Sequence, residues 1–270
     1  MTLRHFPSIT AILLLTGSSL SSYAQETTMI DSIDAPTVRT ELVAPDRVEI
    51  DSAATTEEIE AEDFLHYPAG LEYGEFRGLF GVSITILPKI LVEDQIRQSP
   101  LVTGQLRFGL PLNFSVEGAL STNIIANYVT LGPRWGLDFG RFAFGLSAKL
   151  GYWYGFAPIE GFDIVATSWM NIPGVEFGLR LDEVRTTLRA EALIVTALRI
   201  TSDDIETRTS KNEVAGYALD FRIEQPFWGN SSTALGLRLN YSKTMYQAWL
   251  AFSTLDVYQI YPEFTIALLF

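Results

Sequence analysis

From residue 76 onward, apolar and polar residues alternate in short segments that are separated by turn-forming residues. In "EVAGYALDFRIE", every second residue from Tyr217 to Ile223 is apolar, and the residues between them include Asp220, Arg222 and Glu224. A period of two predicts β-strands whose two faces meet different surroundings.

The polar face of these segments carries many glycines, and its charges are of both signs in similar number. Such a face suits a confined interior in which opposite charges pair, because unpaired charges there would cost several kcal/mol. We therefore expect the interior to be mostly plugged by ion pairs. The charged residues assigned to this interior network are Arg107, Glu117, Arg134, Lys149, Glu176, Arg180, Arg189, Glu191, Asp220, Arg222, Glu224, Arg238 and Glu263.

The opposite face is continuously apolar, and its bulky aromatic residues lie near the segment ends. A soluble β-sandwich would instead show a solvated outer face rich in Lys, Thr and Glu. Membrane-spanning strands need about 9–11 residues of this alternation, with aromatic girdles at both interfaces, and a closed barrel leaves no unpaired edge in hydrocarbon. The pattern predicts an all-β fold, a transmembrane antiparallel up-and-down β-barrel over residues 76–270.

The lengths of the connections set the number of strands, because such barrels have short periplasmic turns and longer outer loops. With "GLPL", "DFGR", "LDEV" and "QPFWGNSS" as periplasmic turns, the outer loops are 89–100, 122–126, 155–172, 199–211 and 244–258. The resulting ten strands lie near 76–88, 101–110, 112–121, 127–137, 140–154, 173–182, 185–198, 212–225, 232–243 and 259–270.

Eight to twelve strands are compatible with the pattern. "GFDIVATSWM" and "MYQAWLAFS" also look like strands, and counting both gives twelve. That count would place the polar "TSDDIETRTSKNE" on the periplasmic side, where turns should be short. Ten strands are therefore preferred, and the two stretches are interpreted as hairpin extensions above the membrane.

The beginning of the chain has the features of a secretory signal peptide, assigned to residues 1–24. Arg4 and His5 precede the apolar run "AILLLTGSSL", and Ser22 and Ala24 are small residues before a cleavage site after Ala24. The run is too short for a membrane anchor. The chain has no cysteine, so disulfides, a thiol nucleophile and lipoprotein acylation are excluded.

Residues 25–75 are interpreted as an acidic and largely disordered periplasmic linker. Residues 26–75 hold 14 of the 32 acidic residues, against Arg39 and Arg47 as the basic ones. The segment has few aromatic residues and too little apolar surface to offset its ordering entropy. The alternative is a tether that contacts a periplasmic or membrane protein partner. No basic patch indicates a nucleic-acid partner.

The final residues, "YPEFTIALLF", place Phe264, Ile266, Leu268 and Phe270 on one face. This resembles the C-terminal assembly signal of bacterial outer-membrane proteins, although Tyr261 falls off that face. The resemblance implies recognition by the outer-membrane assembly machinery and contact with outer-membrane lipid and lipopolysaccharide. Over residues 76–270, the chain resembles small bacterial outer-membrane β-barrel proteins as a class.

Two short motifs bear on lineage. "DSI" and "DSA" resemble the Asp-Ser/Thr-apolar sequon of O-glycosylation in Bacteroidota. The resemblance implies Ser32 and Ser52 as modification sites in an exported segment.

The chemistry available to the predicted barrel argues against an enzyme. Outer-membrane barrel hydrolases, as a family, use a histidine near the outer rim, and an imidazole is the simplest general base at neutral pH. The two histidines are His5 in the signal peptide and His66 in the predicted linker. Asp203, Asp204 and Glu206 fit a solvated loop tip better than a metal site. No catalytic residue, cofactor or metal is predicted.

Two functions follow from these expectations. The first is a non-enzymatic structural, adhesion or assembly-partner role, in which outer aromatic residues such as Trp169, Tyr246, Trp249 and Tyr258 make contacts or anchor the membrane interface. The second is a narrow passive channel for small solutes. Fold class does not decide between them.

Overall fold

The computed structural model of the 270-residue chain describes residues 64–89, 98–123, 125–159, 162–202, 205–228, 231–243 and 257–270. The signal peptide, the possible modification sites and residues 25–63 of the predicted linker lie outside the described residues. The strands are β1 (Phe76–Ile86), β2 (Gln98–Gly109), β3 (Phe114–Thr122), β4 (Ala126–Asp138), β5 (Phe142–Ile159), β6 (Phe162–Leu181), β7 (Val184–Ser202), β8 (Ile205–Trp228), β9 (Ser231–Ser242) and β10 (Gln259–Leu269).

These ten strands form one closed antiparallel barrel, as the sequence predicts. Each strand pairs with its sequence neighbours, and β1 also pairs with β10, so the sheet has no free edge. At this seam Gly81 lies directly opposite Ala267, and both face the interior. Closure satisfies the backbone of every strand without water, which a barrel in hydrocarbon requires.

One end of the barrel carries short turns, and we call it the short-turn end. The turns 110–113, 139–141 and 182–183 lie there, together with the start of β1 and the end of β10. Leu112 and Asn113 have φ of 64° and 63°, as expected for the tight turn between paired strands. We call the opposite end the far end.

The strands differ strongly in length. β5 to β8 contain 18, 20, 19 and 24 residues, whereas the other strands contain 9 to 13. The predicted outer loops 155–172 and 199–211 are therefore wrong, because most of their residues continue the strands. The interpretation of "GFDIVATSWM" as a hairpin extension fits β6, while "MYQAWLAFS" lies outside the described residues.

Three irregularities in pairing interrupt the alternation along the long strands. The register between β6 and β7 skips Thr196, and that between β7 and β8 skips Ala215 and Thr207. Such bulges insert one residue and shift the alternation by one position. In β7 the buried positions accordingly change from Leu193 and Val195 to Leu198 and Ile200.

The distribution of side chains is inverted relative to a soluble protein. Large apolar residues are exposed on the outer face of every strand, for example Phe80 on β1 and Phe264 on β10. Charged residues are buried on the inner face, and Arg107 and Glu224 are fully covered. Soluble proteins almost never bury such charges around an exposed apolar surface of this extent. None of the described residues belongs to a helix that could cross a membrane.

The seam between β1 and β10 gives a test of closure. In Gly81→Ala, the new methyl group would overlap the side chain of Ala267 and the carbonyl oxygen of Ile266, so we expect a loss of about 1–3 kcal/mol. The fraction of folded, heat-modifiable protein in gel electrophoresis should fall. In the control Gly104→Ala the nearest atom lies 3.9 Å away, and this fraction should be unchanged. Equal folding of the two variants would contradict the proposed seam.

Candidate functional site

The lumen at the short-turn end is filled by the segment before β1. We call Phe64–Leu71 the strap. Within it, Phe64, Leu65, His66 and Tyr67 are at most 7% exposed. The sequence predicts that these residues belong to the linker, but the structure places them inside the mouth of the barrel. The cause is their composition, since three of these four residues are large and apolar or aromatic and pack against the inner wall.

One carboxylate binds the backbone of the strap. Glu224 of β8 accepts the N–H groups of Leu65 and His66 at 2.9 Å each, and that of Tyr67 at 3.1 Å. These N–H groups are buried and have no strand partner, so they need an acceptor. An ionised carboxylate provides a stronger one than a neutral group would.

Two guanidinium groups bind the carbonyl oxygens of the same segment. Arg107 of β2 donates to Leu65, Tyr67 and Ala69 at 3.2, 3.0 and 2.6 Å. Arg134 of β4 donates to the carbonyl oxygen of Leu65 at 3.0 Å and also to that of His66. The strap is thus held by charged lumen side chains on both its donor and its acceptor groups.

Apolar contacts fix the side chains of the strap. Leu65 packs with the buried residues Leu79, Ala234, Ala267 and Leu269 of β1, β9 and β10. On the other side of the mouth, Phe64 and Tyr67 pack near Ala143 of β5. The guanidinium of Arg185 lies 4.7 Å from the ring centre of Phe64, a cation–π geometry.

Glycines on the inner wall make room for the strap. A Cβ at Gly136 would overlap the carbonyl oxygen of Pro68. At Gly178 and Gly145, a Cβ would lie 2.6 and 2.9 Å from side-chain atoms of Pro68. The inner-face glycines are evident from the sequence, but the close approach of Pro68 that requires them is not.

His66 lies inside this packing rather than in a solvated linker. Burial lowers the pKa of its imidazole well below the usual range, and the charges of Arg222 and Arg189 lower this pKa further. Among the described residues, its Nε2 atom has no hydrogen-bond partner. The imidazole is therefore neutral at physiological pH.

A second layer closes the lumen next to the strap, and we call it the ionic belt. Its members come from seven consecutive strands, β3 to β9, and are at least 80% buried. They are Glu117, Arg134, Lys149, Glu176, Arg189, Glu191, Asp220, Arg222 and Arg238.

The belt is joined by bonds that cross the lumen. Both terminal nitrogens of Arg189 on β7 donate to the carboxylate of Glu117 on β3 at 3.0 Å, and its Nε lies 3.0 Å from Glu176. Glu191 accepts from Lys149 at 2.6 Å and lies 2.8 Å from Arg238. Bidentate pairs of this kind are the strongest ionic hydrogen bonds available to side chains.

The remaining residues of the predicted network lie outside the belt. Arg107 and Glu224 hold the strap, and Arg180 lies at the mouth, where it pairs with the half-exposed Asp138 at 3.0 Å. Glu263 of β10 is buried and lines a cavity whose wall also includes belt residues such as Glu117 and Arg238.

This cavity has a volume of about 100 Å³ and walls of two kinds. Gln105 and Asn240 line a polar side, whereas Trp153, Met170 and Leu193 line an apolar side. Space of this size holds a few water molecules.

The apolar wall belongs to an interior cluster that the sequence analysis missed. The cluster fills the lumen of β4 to β8 toward the far end and contains Ala126, Trp153, Ala157, Ala166, Met170, Ile172, Leu193, Val195, Leu198, Ile200 and Ala215. A signal was present, because "EALIVTALRI" is apolar on both faces. Such a strand is expected between lipid and a packed interior.

No family model and no curated protein matches the sequence. Among solved structures, the chain is similar to the Neisserial surface protein A, with 10% identity over 72% of this chain and 95% of that one and a TM-score of 0.33. It is similar to the translocator domain of the autotransporter NalP from Neisseria meningitidis, with 9% identity, 74% and 89% coverage and a TM-score of 0.34. It is also similar to the COG4313 outer membrane channel from Pseudomonas putida F1, with 8% identity over 75% of this chain and 98% of that one and a TM-score of 0.36.

The glycine contacts predict how the strap can be displaced. Gly136→Ala should push Pro68 out of the mouth, because the added methyl group overlaps its carbonyl oxygen. Such overpacking costs about 1–3 kcal/mol. We therefore expect chymotrypsin to cleave after Phe64 or Leu65 roughly ten- to a hundredfold faster in this variant than in wild type. Cleavage is measured by mass spectrometry on heat-modifiable protein. The control Gly104→Ala should match wild type, and equal rates for all three proteins would contradict the docked strap.

Proposed function

We propose that this chain is an integral outer-membrane β-barrel protein without enzymatic activity, and that its closed lumen suits a structural, adhesion or assembly-partner role. The observation that carries the proposal is the inverted surface. Apolar side chains are exposed around all ten strands, while paired charges fill the interior. Hydrocarbon outside and a polar lumen inside are the conditions under which this arrangement is stable.

Aromatic pairs support a membrane interface near the far end. The ring centres of Tyr152 and Trp169 lie 4.7 Å apart on neighbouring strands. Tyr241 and Tyr258 stack at 4.8 Å, and the hydroxyl of Tyr258 donates to the carbonyl oxygen of Val214. Rings with an apolar body and a polar edge are enriched where lipid meets water. The predicted contact residues Tyr246 and Trp249 lie outside the described residues.

The contents of the lumen favour a closed barrel rather than an open porin. The strap covers the short-turn end, and the ionic belt crosses the interior beside it. A narrow channel for small solutes remains the second candidate. The cavity of about 100 Å³ favours it, because charged belt residues such as Glu117 and Arg238 line that cavity.

The absence of enzymatic activity is proposed from the surroundings of His66. The sequence argument placed this histidine outside the barrel, and the structure corrects that position. Its imidazole faces Arg222, Arg189 and Arg134, which disfavour the imidazolium that a general base must form. The side chain packs in the strap and has no nucleophile hydrogen-bonded to its Nε2 among the described residues.

Several partners belong to the same proposal. The residues of the predicted assembly signal, Phe264, Ile266, Leu268 and Phe270, point outward and are 48–72% exposed, so an assembly machinery could contact them. Lipid and lipopolysaccharide would surround the outer face. A periplasmic partner protein would bind the acidic segment of residues 25–63, with Ser32 and Ser52 as sites for glycosylation.

The need for an amphiphile tests the membrane assignment. The chain from residue 25 should remain monodisperse in detergent and aggregate when the detergent is removed, because its exposed apolar band then meets water. Size-exclusion chromatography with light scattering measures this. A chain that stays monodisperse in water without any amphiphile would contradict the proposal.

Planar-bilayer recordings separate the closed barrel from the channel. At neutral pH, wild type should show no steady open-state current. Arg238→Ala removes a cation that bridges Glu191 and Asp220, so we expect a leak, and Arg222→Ala should act in the same direction through Asp220. Arg199→Ala, which changes an exposed pair with Glu206, is the control. A steady wild-type current would favour the channel, and no leak in either belt variant would contradict closure by ion pairs.

A further inference from the structure

We propose that the strap is a releasable gate, and that protonation of His66 frees the strap and opens the lumen at the short-turn end. The proposal rests on the membrane barrel argued above. The strap supplies the contacts that make release possible, His66 supplies the trigger, and a turn before β1 supplies the hinge.

Release leaves the barrel intact, because the strap is not a strand. Its backbone groups bond to the side chains of Glu224, Arg107, Arg134 and Arg77. Every ladder between neighbouring strands, including the seam, forms without it. The strap can therefore leave without breaking a backbone pair of the barrel.

The chain after the strap forms a fixed hinge. Gly74 has φ of +84° and donates its N–H to the carbonyl oxygen of Gly109, and Gly109 donates in turn to Glu75. A left-handed backbone at this point favours glycine. These bonds tie residues 74 and 75 to β2, so a released strap would swing from this turn.

The surroundings of His66 make it the sensitive point. Charged side chains face it from four strands: Glu117 on β3, Arg134 on β4, Arg189 on β7 and Arg222 on β8. Three of the four are cations. On β8, Glu224 accepts the backbone N–H of His66 as well. An imidazolium added here would be buried among guanidinium groups, with its Nε2 lacking an acceptor among the described residues.

The sign of the pH dependence follows from linkage. In the docked strap, burial and the nearby guanidinium groups hold the pKa of His66 well below its usual range, whereas the free strap should have a pKa of about 6.5. Docking is therefore fully favourable above about pH 6.5 and weakens as the pH falls below it. Each pH unit shifts the docking equilibrium about tenfold toward release.

Release also removes bonds that span the mouth. Arg107 and Arg134 lose the carbonyl oxygens of Leu65, His66 and Tyr67. Glu224 loses three N–H donors at the same time. Buried charges that lose their partners recruit water, so the mouth fills with water and the ionic belt becomes accessible to solutes.

Thiol labelling in detergent tests the release itself. The chain has no cysteine, so Leu65→Cys introduces a single buried thiol, and Tyr73→Cys places a reference thiol at a position that is 77% exposed. The probe is a dithiodipyridine reagent, which reacts in mildly acidic solution. Between pH 7.5 and 5.5, labelling at position 65 relative to position 73 should rise about tenfold. Adding His66→Gln to Leu65→Cys should abolish this rise.

A reversible lock tests whether release opens the lumen. In Gly70→Cys with Asn113→Cys, the two Cβ atoms start about 3.0 Å apart, and a movement of about half an ångström reaches disulfide geometry. Arg238→Ala is added to the double variant, because the ionic belt closes the lumen behind the strap. In planar bilayers, the reduced triple variant should leak more at pH 5.5 than at pH 7.5. The oxidised triple variant should show the same leak at both pH values, and reductant should restore the rise.

Negative results of these two experiments can be distinguished from failure of the membrane proposal. Labelling at position 65 that does not change with pH, or that rises equally with His66→Gln, would overturn the trigger even for a protein that is plainly a detergent-dependent barrel. Release with no change of the leak between the two pH values, or a leak that rises equally in the oxidised lock, would overturn the gate. A water-soluble chain would instead overturn the membrane proposal and leave the labelling result standing.

Discussion

The structure depends on the pairing of charges across the lumen. Burying a single charge costs several kcal/mol, and this interior buries more than ten. The cost is tolerable because each carboxylate of the belt faces a cation at hydrogen-bond distance, as Glu117 faces Arg189 and Glu191 faces Lys149. These pairs join strands that are not neighbours in the sheet, so they oppose both collapse and opening of the barrel. The charge network is thus the core of this protein in the way that an apolar interior is the core of a soluble one.

The strap extends the same principle from side chains to backbone. Glu224 and Arg107 are charges for which the wall supplies too few partners, and they bind the N–H and carbonyl groups of the strap. The segment and the mouth therefore complete each other, and the wall glycines keep the space that this contact needs. A barrel of ten strands is too wide for its own inner side chains to fill at every level. The strap at the short-turn end and the apolar cluster toward the far end fill the space that these side chains leave.

Much of the barrel could be predicted from the sequence, because a period of two reports directly on two environments. The ten strands, the closed antiparallel topology and the inward position of residues such as Glu176 follow from it. The full lengths of β5 to β8 could not be predicted, since bulges such as that at Thr196 break the period. The strap could not be predicted either, because its recognition depends on backbone contacts with Glu224 that lie more than 150 residues away in sequence. The sequence composition groups His66 with the acidic segment that precedes it in the chain. In the folded barrel its imidazole instead lies among arginines.

In the part of the chain that the structure describes, the unequal strand lengths make one wall of the barrel taller than the other. A strand rises about 3.3 Å per residue, so the hairpins of β5 to β8, which exceed their neighbours by roughly ten residues, stand about 20 Å or more above the opposite wall once strand tilt is included. A molecule that approaches the far end along the barrel axis would therefore reach the described residues around Ser202 and Ile205 before it reached β2 and β3.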